Sequence, residues 1–359
     1  MATFLFILQL LVVLSMIFVG ARVGGIGLGI YGMVGVFVLT FVFRLEPGAI
    51  PIDVMLIIVS VITASAALQA AGGLDYMVNV AARFLRRHPS HITYLAPLTT
   101  WLFCVLAGTA HTCYALLPII SEIAQKNKVR PERPLSVATV TASLGITCSP
   151  VSAATAAILS QSILGEYGIG IDDILIVTVP ASLIAILVAS LVQNHVGKPL
   201  TEDPEYQRRL REGLLHDEEE SSSEELPVNP RAKWAVASFL LGVLLVVLFG
   251  SFPELRPSFR GEVLGMNATI EMVMMAIAAL ILIVGKADVK KAAQGNVFAS
   301  GMNAMVAIFG VAWMGSTFFE GNHDTILGSI EGVFANYPLL FDRQYKEKPV
   351  INEIIKLYQ

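Results

Sequence analysis

Long apolar runs dominate the chain and are separated by short polar segments. An α-helix needs roughly 20 residues to cross a bilayer core of about 30 Å. Runs close to this length occupy residues 4–20, 24–43, 52–71, 173–193, 234–252, 268–285 and 297–319. The ten-residue alternation of apolar and polar positions that is typical of transmembrane β-strands is absent from the sequence. The pattern predicts an all-α polytopic membrane protein.

Two further apolar stretches contain polar interruptions and do not fit a simple span. Residues 93–124 are too many for one crossing and too few for two, and their middle reads Gly108-Thr109-Ala110-His111-Thr112. We expect a re-entrant hairpin here, because irregular backbone at membrane depth is tolerated only inside protein or beside water. Residues 135–164 are interrupted by Ser149-Pro150-Val151-Ser152. Because proline removes a backbone donor and clashes with the preceding turn, we expect a broken helix.

The distribution of basic residues orients the predicted spans in the membrane. Cytoplasmic loops carry an excess of Lys and Arg. If the N-terminus is outside and residues 93–124 form a hairpin, most of the 24 lysines and arginines fall in inside loops. Among the loop residues, those left outside are Arg44, Arg256 and Arg260. A single crossing at 93–124 would place the two most basic short loops on opposite sides. The charges therefore favour the hairpin and predict a periplasmic N-terminus.

Composition argues against several classes of function. Charged residues are 14% of the chain, against about 25% in soluble domains, and the net charge of −4 argues against a nucleic-acid partner. We expect Cys104, Cys113 and Cys148 to be buried, and the histidines show no metal-ligand spacing, so neither metal nor cofactor is expected. An intramembrane hydrolase would need Ser149 and His111 as nucleophile and base, but no activating motif surrounds them. We do not expect an enzyme.

The number of crossings divides the chain into two predicted repeats. Residues 1–196 would hold five spans and the hairpin, and residues 197–231, which include an acidic run with serines, would form a cytoplasmic linker. Residues 232–338 would hold three spans, and residues 339–359 would form a polar tail. An odd number of crossings in the first repeat inserts the second upside down, as in inverted-repeat transporters. We expect an elevator-like inverted-repeat transporter with an incomplete second repeat, because no second hairpin or broken helix follows.

Glycine-rich and polar motifs occur in a recognisable order along the chain. They are Gly20-Ala21-Arg22 with Gly24-Gly25-Ile26; Leu68-Gln69-Ala70-Ala71-Gly72-Gly73-Leu74-Asp75; Gly108-Thr109 with His111 and Leu117-Pro118-Ile119-Ile120; Arg130-Pro131-Glu132-Arg133-Pro134; Ser149-Pro150-Val151-Ser152; and Leu255-Arg256-Pro257-Ser258-Phe259. In this order and spacing, the chain from about residue 4 to Pro338 resembles the anaerobic C4-dicarboxylate transporter family of the Dcu type. The resemblance ends at Leu339.

The resemblance implies a transport function in the bacterial inner membrane. Members of the family exchange fumarate, succinate, malate and aspartate, and typically fumarate enters while succinate leaves during anaerobic respiration. The resemblance also implies a homodimer and, for some members, a membrane-bound sensor kinase as partner. An alternative is that a chain with an incomplete second repeat is a non-transporting remnant or a regulatory partner of a dicarboxylate sensor.

A dicarboxylate requires donors that are already in place, because an unpaired charge in hydrocarbon is very unfavourable. The half-helix after the second interruption would offer backbone N–H groups and its positive dipole end, and nearby hydroxyls would add donors. At the hairpin tip, glycine allows close backbone approach beside further side-chain donors. The predicted substrate site comprises Gly108, Thr109, His111, Thr112, Ser149, Pro150, Ser152 and Thr155.

Structural alternatives stay open for several polar residues. Ser149 and Ser152 could serve only to satisfy carbonyls freed by the proline, and His111 could be a packing residue. We expect capping or solvation, rather than proton relay, for Asp53 and Asp75 at span ends. The polar residues of the third span, which we expect to join helices rather than contact substrate, are Thr63, Ser65 and Gln69.

Overall fold

The computed structural model describes residues 2–158, 169–197, 200–212 and 229–326. The side chains of a few residues within these ranges, including His111, are not described. The end of the predicted broken helix, most of the acidic run and the predicted tail 339–359 lie outside the described residues. These predictions are not addressed by the structure.

The described residues are almost entirely helical. The helices are α1 (Ala2–Val23), α2 (Gly27–Phe37), α3 (Ile52–Ala70), α4 (Gly73–Arg87), α5 (Ile92–Ala107), α6 (Cys113–Lys126), α7 (Glu132–Thr147), α8 (Ala153–Ile158), α9 (Ile171–Asn194), α10 (Pro204–Arg211), α11 (Ala232–Ser251), α12 (Met266–Gly285), α13 (Val289–Gln294) and α14 (Asn296–Gly321). The strands within the described ranges are β1 (Ser258–Phe259) and β2 (Glu262–Val263), an antiparallel pair.

Seven helices in the described part are long and apolar enough to cross a membrane. They are Phe4–Val23, Ile52–Ala70, Pro89–Ala107, Ile171–Asn194, Ala232–Ser251, Met266–Gly285 and Asn296–Gly321. This confirms the all-α polytopic class. The segment Pro89–Ala107 is an arm of the predicted hairpin, so length alone does not distinguish an arm from a full crossing, and the re-entrant hairpin stays a prediction.

The predicted second span, 24–43, is shorter and less regular than expected. It starts at Gly27, because Gly24 and Gly25 adopt left-handed φ values of 73° and 54° and form a turn after α1. The helix then continues as a π-helix over Val38–Val42. In a π-helix each backbone N–H donates to the carbonyl five residues earlier instead of four.

The chain divides into two compact units, and the first comprises residues 1–51 and 303–359. Its buried core contains Val13, Val36, Leu39, Met314 and Phe318. Glycines let α2 approach α14 closely: a Cβ added at Gly32 would lie 2.5 Å from the carbonyl carbon of Gly310. The glycines of α2 therefore permit close helix packing.

Polar side chains also tie the elements of this first unit together. The Trp313 indole Nε1 donates to the Gly48 carbonyl over 2.9 Å, and the Gly48 N–H donates to Thr317 Oγ1 over 3.1 Å. The buried side-chain amide of Asn322 donates to Gln9 Oε1 over 2.8 Å. Side chains of α14 thus hydrogen-bond to the Gly48 backbone and hold the extended segment before α3 along α14.

The second unit, residues 52–302, contains both predicted polar breaks. Its closest helix pairs are α5 with α7, α3 with α12 and α11 with α12. The approach of α5 to α7 again requires glycine, since a Cβ at Gly145 would lie 2.6 Å from the Cys104 Cβ. Between the same helices, Thr141 Oγ1 donates to the Pro97 carbonyl over 3.2 Å. The boundaries at 196 and 231 and the inverted repeat stay predictions.

The α5–α6 segment begins and ends at the same end of the second unit. Arg86, at the end of α4 and just before α5, lies 3.7 Å from the Glu122 carboxylate in the last turns of α6. Lys126 contacts the same carboxylate at 3.0 Å. A helical hairpin that returns to its starting level has this geometry.

The motif Arg130–Pro134 binds the segment that follows α9. Arg133 donates to the carbonyls of Val196 and Gly197 over 3.0 Å and 2.7 Å, and Arg130 pairs with Asp203 at 2.8 Å. The N–H of Tyr206, followed by that of Glu205 and by Arg130, holds the pKa of Asp203 below its ordinary value. The α6–α7 loop is therefore fixed to the start of the predicted linker.

Candidate functional site

The first break lies between α5 and α6, where the sequence predicted the hairpin tip. α5 ends at Ala107 because Gly108 adopts a left-handed φ of +67°, which residues with a side chain rarely adopt. Thr112 Oγ1 donates to the Thr109 carbonyl over 3.1 Å and closes the turn. From α3, Ser65 Oγ donates to the Ala107 carbonyl over 3.4 Å. The freed carbonyls at the tip thus receive side-chain donors.

The second break lies between α7 and α8, at Cys148–Ser152. The Val151 N–H donates to Ser149 Oγ over 3.3 Å, and the Thr155 N–H donates to Ser152 Oγ over 3.1 Å. Thr155 Oγ1 donates to the Ser149 carbonyl over 2.7 Å. Since Thr155 has a single hydroxyl proton, the 3.0 Å contact between Ser152 Oγ and Thr155 Oγ1 has Ser152 as its donor. A chain of hydroxyls therefore holds this break together.

The two breaks contact each other through their backbones. A Cβ added at Gly108 would lie 2.7 Å from the Val151 carbonyl oxygen and 3.2 Å from its carbon. Ser149, Ser152 and Thr155 are 0%, 1% and 2% exposed, so the second break is covered by protein. The structure thus brings the predicted tip and the predicted helix break together.

The predicted site residues differ in their surroundings. Gly108 and Thr109 are half-buried, and Thr112 and Pro150 are buried. The side chain of His111 lies outside the described residues, so its predicted role is not addressed. Within the break, the Ser152 hydroxyl donates to Thr155 Oγ1 and the Thr155 hydroxyl donates to the Ser149 carbonyl. A ligand at this break would have to replace those internal acceptors.

A cavity of about 530 Å³ adjoins the tip within the second unit. It reaches Thr112 among the predicted site residues. Its other polar lining residues are Gln69, Asp75, Tyr114, Asn296 and Ser300. Gln69 joins helices as expected, because its Oε1 accepts the Val297 N–H over 3.2 Å, but it also faces this cavity.

Sequence reasoning missed three polar lining residues of this cavity. Tyr114 follows the tip by two positions, and Asn296 and Ser300 are four apart at the start of α14. That spacing puts both side chains on one helix face, a signal that was available. The sequence does not show that this face of α14 lies beside the same cavity as the tip, because almost two hundred residues separate Thr112 from Asn296.

Comparison with known proteins decides the family. The family described as "Anaerobic c4-dicarboxylate membrane transporter" matches residues 5–343. The chain belongs to this family. The match extends a few residues beyond Pro338, where the resemblance was expected to end. The family consists of membrane transporters, so the chain belongs to a family of transporters and not of enzymes.

Individual relatives are similar over almost the whole chain. Anaerobic C4-dicarboxylate transporter DcuB of Escherichia coli O6:H1 is 40% identical over 343 residues, 93% of this chain and 76% of the relative. C4-dicarboxylate transporter DcuA of Wolinella succinogenes is 38% identical, with 92% and 76% covered. C4-dicarboxylate transporter DcuA of Helicobacter pylori (strain ATCC 700392 / 26695) is 38% identical, with 92% and 74% covered. No solved structure matches the chain.

The contact between the breaks predicts a strong effect of Gly108→Ala. The substitution forces a left-handed φ on alanine, at about 1 kcal/mol, and adds a backbone clash with Val151 that brings the loss of stability to about 2–4 kcal/mol. The matched control is Gly261→Ala, because Gly261 has φ +90° but no atom within 4 Å of an added Cβ. Thermal unfolding in detergent should show a clearly larger drop for Gly108→Ala. Equal drops would show that the two breaks do not press against each other.

Proposed function

We propose that the chain carries C4-dicarboxylates across the bacterial inner membrane and exchanges fumarate, succinate, malate or aspartate. The family match over residues 5–343 is the observation that carries this proposal. The names of the relatives, DcuA and DcuB transporters of C4-dicarboxylates, support the substrate class. The homodimer and the sensor-kinase partner implied by the resemblance stay predictions.

The substrate site we propose lies where the α5–α6 tip meets the α7–α8 break. It comprises the tip residues Gly108 to Thr112 and the break residues Ser149 to Thr155. A carboxylate accepts hydrogen bonds about twice as strongly as a neutral oxygen. It can therefore replace Thr155 Oγ1 as the acceptor of the Ser152 hydrogen bond, and the Ser149 carbonyl as the acceptor of the Thr155 hydrogen bond. In this mechanism the hydroxyls of the break donate to acceptors within the protein while the site is empty, and to the substrate carboxylate when it is occupied.

Such an exchange of partners suits a transporter. Buried polar groups must stay hydrogen-bonded whether or not substrate is present, since an unsatisfied buried donor is unfavourable by about 1–3 kcal/mol. A hydroxyl chain that closes on itself keeps the empty carrier stable enough to return across the membrane. A site of permanently free donors would hold the substrate too tightly to release it.

Removal of the Ser152 hydroxyl tests this site. Charge-assisted hydrogen bonds contribute about 1.5–3 kcal/mol, so Ser152→Ala should raise the KM for labelled succinate about tenfold or more in a transporter-null bacterium. The control is Thr139→Ala on α7, the helix before the break, because Thr139 is exposed and its hydroxyl donates to the Leu135 carbonyl. An unchanged KM in Ser152→Ala would show that the substrate site lies elsewhere. The absence of any succinate uptake by the unaltered chain would contradict the transport function itself.

We also propose that the N-terminus is periplasmic and that the α6–α7 loop is cytoplasmic. The support is the excess of basic residues at the ends of α4 and α6 and in the Arg130–Pro134 motif. Reporter fusions after Lys128 and after Gly168 should lie on opposite sides of the membrane, with Lys128 inside. If both fusions report the same side, the orientation and the hairpin are wrong together.

A further inference from the structure

Among the residues that the structure describes, Asp75 is the one charged side chain that lines the cavity beside the tip. Its other polar lining residues, Gln69, Thr112, Tyr114, Asn296 and Ser300, are neutral amides and hydroxyls. No Lys, Arg or His lines this cavity among the residues that the structure describes. The cavity therefore offers several neutral hydrogen-bonding groups and a single negative charge.

Asp75 lies in the first turn of α4, and its side chain is open to the cavity. The neighbouring apolar residues Leu74, Val78 and Phe103 also line this space. Partial burial raises the pKa of the Asp75 carboxyl above its ordinary value, and no basic group in the described part of the chain forms an ion pair with it. Asp75 is nevertheless exposed, so its carboxylate is only partly desolvated, and it lacks a positive partner in the described part of the chain.

The charge of Asp75 interacts differently with the several substrates of the proposed function. Succinate and fumarate carry two carboxylates and no cation, so Asp75 repels them. Aspartate carries the same two carboxylates and an ammonium group, which is attracted to Asp75. The amides and hydroxyls across the cavity can donate to either set of carboxylates. The volume of about 530 Å³ falls within the roughly 300–1,000 Å³ of small-molecule sites.

We propose that Asp75 is a specificity-determining residue, which binds the ammonium group of an amino-dicarboxylate while Gln69, Asn296 and Ser300 donate to the carboxylate that Ser152 and Thr155 do not hold. This inference rests on the proposed function, since it assigns a residue to the selection among C4 substrates. Asp75 thereby admits aspartate in preference to plain dicarboxylates of the same length.

The test uses the full chain reconstituted in proteoliposomes, with uptake of labelled aspartate and labelled succinate measured in parallel. Asp75→Asn keeps the size of the side chain and removes its charge. The KM for aspartate should rise about tenfold or more, while the KM for succinate stays the same or falls. The matched control is Asp172→Asn, which removes an acid from the first turn of α9, outside this cavity. It should leave the ratio of the two KM values unchanged.

An equal rise of both KM values in Asp75→Asn, or no change in either, overturns the proposal, because a helix-capping role would affect the two substrates alike. If Asp75→Asn does not fold, Asp75→Ser, which also removes the charge and has a smaller polar side chain, replaces it with the same expected result.

A second measurement separates this proposal from the proposed function. In detergent, aspartate should raise the unfolding temperature of the unaltered chain more than succinate does, and Asp75→Asn should abolish the difference. If neither substrate is transported but this difference is found, the transport function fails and the role of Asp75 stands. If aspartate and succinate stabilise the unaltered chain equally, the role of Asp75 is refuted whatever the transport result.

Discussion

The contact between Gly108 and the Val151 carbonyl is the constraint on which the rest of the candidate site depends. It places one helix break directly against another in the interior of a membrane protein, with no room for a side chain. Irregular backbone at this depth is tolerated only if its polar groups find partners inside the protein. Here Ser65, Thr112, Ser149, Ser152 and Thr155 supply them. The breaks are thus stable as a pair, and in our proposal Ser152 and Thr155 are the partners that a carboxylate recruits.

The sequence was sufficient for features that depend on local chemistry. Apolar length located the spanning helices, and the two polar interruptions located the breaks, because a left-handed glycine ends α5 and a proline-containing segment ends α7. The second predicted span was too long, since its start depends on the turn formed by Gly24 and Gly25. Its end depends on a π-helix, for which the sequence contained no signal.

Features that depend on distant parts of the chain were beyond sequence reasoning. The packing of Gly108 on Val151 requires the arrangement of α5 against α7, which periodicity does not specify. The direction of the Ser152 and Thr155 hydroxyl bonds follows from atomic positions, which the sequence does not contain. Asn296 and Ser300 reach the tip only because α14 starts beside α3, where Gln69 accepts the Val297 N–H.

The most direct test of the account is protection of the tip by substrate. A single cysteine is introduced at Thr109 after Cys104, Cys113 and Cys148 are replaced by serine or alanine, and its rate of labelling by a membrane-permeant maleimide is measured. Succinate should slow the labelling in a concentration-dependent manner, whereas butyrate, which has the same length and one carboxylate, should not. An equal rate with succinate, butyrate or neither would contradict the claim that the two breaks form the substrate site.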